Sequence, residues 1–261
     1  MSDVTLVNAR LIDPEAGTER LGGLRISGGL IAEILSENAN GKGVVIDCGG
    51  KYLAPGIIDV GVKIGEPGER HKESFRTAGR AAAAGGVTTM VTRPDTSPAI
   101  DTPETLEFAA NRAAQAMGVR IRPMAALTKG RMGREMTEIG FLLDAGAVAF
   151  TDGDAVTTNP RVFARCLTYA KSLNALVIAH CQDPGLSDGA AVTSGKFATK
   201  QGLPSVSPMA ERMGLERDLA LVEMTGAHYH ADQITTAAAL PALARAKAAG
   251  LDVTAGVSIH H

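Results

Sequence analysis

Ala54-Pro55-Gly56-Ile57-Ile58-Asp59-Val60-Gly61-Val62-Lys63-Ile64-Gly65-Glu66-Pro67-Gly68 is the stretch on which the reading of the chain turns. A Pro-Gly turn leads into a short apolar run that a second turn, Glu66-Pro67-Gly68, closes, so a strand is expected between them. Downstream of it, short apolar runs at about 86–93, 119–127, 146–151, 175–181, 227–235 and 251–259 alternate with helical patterns. Those patterns cover Glu73–Ala84, Pro103–Met117, Glu135–Ala145, Pro160–Leu173, Pro208–Thr225 and Ala238–Ala249, and glycines at 85, 118, 146, 226 and 250 stand where the helices should end. With 53–64 as the first, this predicts seven strands in βα units, hence a parallel α/β sheet. Spacing alone leaves two architectures open, a doubly wound open sheet and most of a closed barrel.

Upstream the texture differs. Short alternating segments (Val4–Val7, Leu24–Ile26, Leu30–Ile34, Val44–Ile46) are punctuated by Gly17, Gly22-Gly23, Gly28-Gly29 and Gly49-Gly50, which predicts a small β unit too meagre to stand alone.

The 261 residues are 45% hydrophobic and 21% charged with a net charge of −2, the profile of a soluble globular protein, so neither nucleic acid nor an acidic membrane surface is an expected partner. A barrel of about 250 residues fits in this length. Cys48, Cys166 and Cys181 lie far apart with no C-x-x-C pair, which points to free thiols. Met1–Arg10 has no basic stretch followed by an apolar run, and no apolar run reaches the length of a membrane span; a cytoplasmic location is expected.

In parallel α/β folds catalytic groups collect at the C-terminal ends of strands. At those ends the segment quoted above resembles the dihydroorotase signature, in which P-G-x-I-D is followed by His-x-His and then Leu-Arg-Glu-Pro-Gly. Pro55, Gly56, Asp59, Glu66, Pro67 and Gly68 match in order and spacing. Further matches follow in register: Gly85-Gly86-Val87-Thr88-Thr89, Arg93-Pro94-Asp95-Thr96-Ser97-Pro98 for the family's Met-Pro-Asn-Thr-x-Pro, Phe150-Thr151-Asp152, Ala179-His180-Cys181-Gln182-Asp183, Tyr229-His230 and Ile259-His260-His261. The resemblance implies a (β/α)8 TIM-type barrel of the amidohydrolase superfamily. Residues 52–261 would form the barrel, its C-terminal part apparently missing, and residues 1–51 part of a β-sandwich. It also implies the family chemistry, zinc-assisted interconversion of N-carbamoyl-aspartate and dihydroorotate in pyrimidine synthesis.

The departures from the family pattern fall on its working residues. Two histidines at i and i+2 of a strand face the same side and can share an ion. Here those positions are Gly61 and Lys63, the first without a ligand atom and the second a cation. The substrate-gripping arginine aligns with Gly65, the substrate-binding asparagine with Asp95, and the histidine of the sixth strand with Gln233. Asp152 and His180 alone remain as vestigial ligand positions, fewer than the three protein ligands of a usual catalytic zinc site. No catalytic residue, metal or other cofactor is therefore expected, and Lys63, Arg93 and Asp95 are read as remnants of the substrate pocket.

Lys63 has two readings: a side chain reaching solvent, or the replacement for the lost metal charge, paired with Asp152. Asp95 either faces the pocket or bonds a turn before Pro98. His180 and His230 are read as hydrogen-bonded core residues, and His260-His261 as a native strand end. By the same resemblance, metal-site-deficient members of the family associate with aspartate carbamoyltransferase. This makes a non-catalytic assembly subunit, in an oligomer, the first functional reading. The second is an active dihydroorotase or related cyclic amidase whose zinc is held by Asp152, His180 and His71 in a rearranged site. A small-molecule sensor is the third.

Overall fold

A computed structural model describes residues 3–37, 39–116 and 118–259. The chain divides into two compact units between Ile57 and Ile58. In the first, β1 (Val4–Asp13), β2 (Thr18–Ser27), β3 (Leu30–Leu35) and β4 (Val44–Asp47) form a sheet of order β3-β2-β1-β4, and β5 (Tyr52–Leu53) pairs with β1. The sequence reading placed its boundary at residue 51, ahead of β5. A bulge between Leu6 and Ala9 puts Asn8 at φ 53°, and its amide reaches Asp47 Oδ1 at 3.0 Å. Ala9, Leu11 and Thr5 are buried, and the Thr5 hydroxyl donates to Lys42 O while accepting from Lys42 N.

The second unit begins its sheet with β6 (Ile57–Val62), bonded to β7 (Val87–Thr92), which runs parallel to β8 (Arg120–Pro123). Parallel bridges Ala125–Phe150 and Phe150–Val177 carry the ladder on to β9 (Leu176–His180). A short excursion, β10 (Val192–Thr193) and β11 (Ser205–Val206), precedes β12 (His228–Asp232), which lies between β9 and β13 (Val253–Ala255). The spatial order therefore follows the chain order without reversal. A doubly wound sheet must reverse direction at its switch point, so this is the strand array of a (β/α)8 TIM-type barrel, and the alternative left open by spacing is settled.

Helices α1 (Phe75–Ala84), α2 (Pro103–Ala113), α3 (Ile139–Asp144), α4 (Pro160–Ser172), α5 (Pro184–Ser187), α6 (Lys196–Gln201), α7 (Met209–Thr225) and α8 (Leu240–Ala248) connect the strands. Their starts are set by local chemistry. Ser74 and Thr102 form capping boxes with Thr77 and Thr105, and Asn159 caps α4 ahead of Pro160. Gly226 closes α7 in the left-handed region, while after α1 that conformation falls on Gly86 and not on Gly85. The expected strand 146–151 shrinks to the bridge at Phe150. The strand expected over 119–127 ends at Pro123, which has no N–H to continue the ladder. The excursion with α5 and α6 had no counterpart in the sequence reading.

Phe150, Phe163, Leu106, Leu127, Leu142, Leu167 and Tyr229 are fully buried and form one core between helices and sheet. Inside it the Tyr229 hydroxyl donates to Asp218 Oδ2 at 2.8 Å and lies 3.0 Å from Cys181 Sγ, while Arg217 gives two N–H bonds to Asp218 Oδ1. Burial pushes the Asp218 carboxyl above its ordinary range against the pull of Arg217. Burial also raises the Cys166 thiol to about 12 and the Cys181 thiol further still, whereas Cys48 is part-exposed. A thiol reagent at mildly alkaline pH should thus label Cys48 in the folded protein and reach Cys166 and Cys181 only after denaturation, as peptide mapping would read.

Candidate functional site

The ladder aligns the C-terminal ends of its strands, and the residues singled out from the sequence come to lie there. Asp152 follows the Phe150 bridge and is buried. Its Oδ1 accepts from Thr128 N at 2.9 Å, and its Oδ2 from Thr128 Oγ1 at 2.6 Å and Thr157 Oγ1 at 3.2 Å. Burial raises its pKa; the bonds from Thr128 and Thr157 and the charge of Arg131 oppose that rise. Of the two readings of Lys63, the pair with Asp152 is therefore not found. Asp152 takes its partners from two threonines, because a hydroxyl and an amide can reach it without a charge having to enter the core.

Lys63 instead pairs with Asp95, Nζ to Oδ2 at 3.1 Å, with its own side chain 55% exposed. The same Oδ2 receives Arg93 Nη2 at 3.0 Å. Asp95 thus serves as the acceptor of two cations and not as a turn cap. The pairing is incomplete, since Asp95 Oδ1 and Arg93 Nε are buried with no hydrogen-bond partner. Arg131 binds Asp154 and also donates from Nε to the Asp152 carbonyl at 2.9 Å.

On β9, His180 Nε2 meets Gln182 Oε1 at 3.0 Å; the amide oxygen can only accept, so this nitrogen carries the proton and has no lone pair to offer a metal. His230 Nδ1 lies 2.8 Å from Thr254 Oγ1, and burial lowers its pKa. Asp232, at the end of β12, is paired in register with His180; burial raises its pKa, opposed first by the charge of Arg93. Gln233, at φ 50°, ends that strand, and His71 is exposed in the turn after Arg70. His260 and His261 lie outside the described residues.

Zinc fits this donor set poorly. Of the five positions at which the resemblance expects ligands, 61, 63 and 233 hold Gly, Lys and Gln, both Asp152 oxygens already accept hydrogen bonds, and His180 donates from Nε2 to Gln182, which leaves its lone pair on Nδ1. The described residues contain no group of three or more His, Cys, Asp or Glu able to hold an ion. Between Asp152 and His180 lies a cavity of about 10 Å³, lined also by Leu127, Phe163 and Arg217, no larger than one water requires. Outside it an open cleft of about 480 Å³ runs along Asp154, His180, Gln182 and Asp188. Thr128, Arg131, Asp154, Thr157 and Asp232 were missed from the sequence. Asp232 alone had a signal, its place near the end of an expected strand.

Among solved structures, the L-hydantoinase of Arthrobacter aurescens superimposes with a TM-score of 0.81 at 21% identity, covering 99% of this chain and 58% of its own. A D-hydantoinase gives 0.78 at 24% identity. These likenesses establish the barrel fold. The family model described as dihydro-orotase-like matches residues 50–239. A dihydroorotase-like protein of Pseudomonas putida is 38% identical over 258 residues, 98% of this chain and 61% of its own length. The dihydroorotase of Geobacillus thermodenitrificans is 40% identical over 241 residues, 91% of this chain and 56% of its own. The chain belongs to the dihydroorotase-like family of the amidohydrolase superfamily, and it spans about three-fifths of the length of the curated relatives it matches. No helix among the described residues is long and apolar enough to cross a membrane.

Two measurements test the site geometry. Because burial raises the folded-state pKa of Asp152, the folded chain retains a proton that the unfolded chain has lost above about pH 4, and this carboxylate opposes folding increasingly as pH rises. Urea titrations should therefore find the stability of Asp152→Asn, relative to wild type, improving from pH 4 toward neutrality. Lys63→Met, which removes a half-exposed cation, should cost under about 1 kcal/mol at neutral pH.

Proposed function

We propose that this chain is the barrel of a dihydroorotase-family protein that no longer performs metal-dependent catalysis and works as a structural or assembly subunit. The observation that carries the reading is the state of the ligand positions. Gly61 and Lys63 stand where two imidazoles are needed, and the remaining carboxylate, Asp152, already accepts three hydrogen bonds from Thr128 and Thr157. An ammonium group at a vacated ligand position repels a divalent ion, and a metal at Asp152 would compete with those hydrogen bonds. The partner in this reading is aspartate carbamoyltransferase. It is drawn from the family resemblance, in which metal-site-deficient members accompany that enzyme, and it sets the protein in pyrimidine biosynthesis, in the cytoplasm, as part of an oligomer.

The second reading is an active, zinc-dependent dihydroorotase or related cyclic amidohydrolase with a rearranged site. The names of several relatives, simply dihydroorotase, favour it. The two readings part on three measurements with untagged protein. The first expects well under one zinc per chain by elemental analysis, dihydroorotate turnover indistinguishable from buffer, and co-elution with aspartate carbamoyltransferase in size-exclusion chromatography. Stoichiometric zinc with turnover at enzymatic rates would overturn it in favour of the second.

A further inference from the structure

Arg93 follows β7 with a side chain only 11% exposed, at the mouth of the strand array. Its Nη2 is 3.0 Å from Asp95 Oδ2 and 3.6 Å from Asp154 Oδ1. One glycine makes room for it. A Cβ at Gly153 would stand 2.8 Å from Nη2 and 3.2 Å from Nε, so that the guanidinium would have to shift, whereas a Cβ at Gly61 would stand 4.0 Å from Cδ, an ordinary contact. The same Gly61 point lies 3.7 Å from Asp232 Oδ1, so the first ligand position of the family signature opens onto a carboxylate on one side and this arginine on the other. The remaining cations at the mouth are committed elsewhere: Lys63 approaches Asp95 from solvent, and Arg131 holds Asp154 and the Asp152 carbonyl.

We propose that Arg93 is a resident counter-cation, its guanidinium bound to Asp95 and its stem facing Asp232 across Gly61, at the barrel mouth in place of a divalent ion. This rests on the reading of the site as metal-free. Carboxylates withdrawn from water are costly unless a cation accompanies them. A planar guanidinium with five N–H donors can answer several at once, and unlike a bound ion it cannot dissociate. Glycine at 153 follows from the space it needs.

The test compares thermal melts of the full chain, stripped of metal with a chelator and then dialysed into chelator-free, metal-free buffer. Arg93→Met, close in volume and uncharged, should lower Tm by about 5 °C or more. Arg93→Lys should lose less, and Arg93→Met combined with Asp95→Asn should regain part of the loss, because no uncompensated charge is left at that carboxylate. Millimolar Mn²⁺, a cation that favours carboxylate oxygens, should raise Tm of Arg93→Met and leave wild type unmoved. If Arg93→Met melts within about 1 °C of wild type, or if the lysine and double variants fall as far as the single one, Arg93 is a space-filler and the proposal is overturned. An equal Mn²⁺ response in both proteins overturns it as well. A double variant that recovers folding where Arg93→Met alone fails to fold supports it. Zinc bound to the wild type overturns the preceding reading instead, which keeps the two failures distinguishable.

Discussion

A carboxylate taken out of water must be met by donors or by a cation, and at the strand ends of this barrel the protein meets Asp152 and one oxygen of Asp95 from its own residues. Thr128 and Thr157 close on Asp152, Lys63 and Arg93 share one oxygen of Asp95, and Arg131 takes Asp154. An acidic barrel mouth built around an ion would leave lone pairs converging on an open point. Here most of them are turned toward hydroxyls, an amide and cationic groups.

The scaffold tolerates that exchange because it does not depend on it. The parallel ladder from β6 to β13 is made by backbone bonds, and its core by Phe150, Phe163, Tyr229 and the leucines packed among helices and sheet. The buried Tyr229–Asp218–Arg217 network sits within that core, with Cys181 against the tyrosine hydroxyl. Fold and site are therefore separable, which is why likeness to hydantoinase structures coexists with Gly, Lys and Gln at three positions where the family resemblance expects metal ligands.

Much of this was legible before any coordinates. The alternation of apolar runs with helical patterns located the helices to within a few residues, since caps such as Ser74, Thr102 and Asn159 are local signals. The substitutions at 61, 63, 65 and 233 were visible because the signature around them is intact. The errors lie where partners are far apart in sequence. Lys63 was read as reaching solvent or pairing with Asp152, and Asp95 was not considered as its acceptor; Thr128 was passed over because a threonine at a strand end has no motif; and Arg93 was seen as a pocket remnant with no hint of its burial.

By itself, then, the amino-acid sequence determined the βα alternation, the small β unit ahead of it, the family, and the absence of histidine where a metal would need it. Those are properties of residue type and of spacing along the chain. Only the tertiary structure decided that the strands follow one another around a barrel without reversing, that Asp152 accepts three hydrogen bonds from Thr128 and Thr157, and that Arg93 fills the room left by Gly153. Such facts arise from contacts between residues tens of positions apart, and periodicity, being local, carries no information about which of them meet.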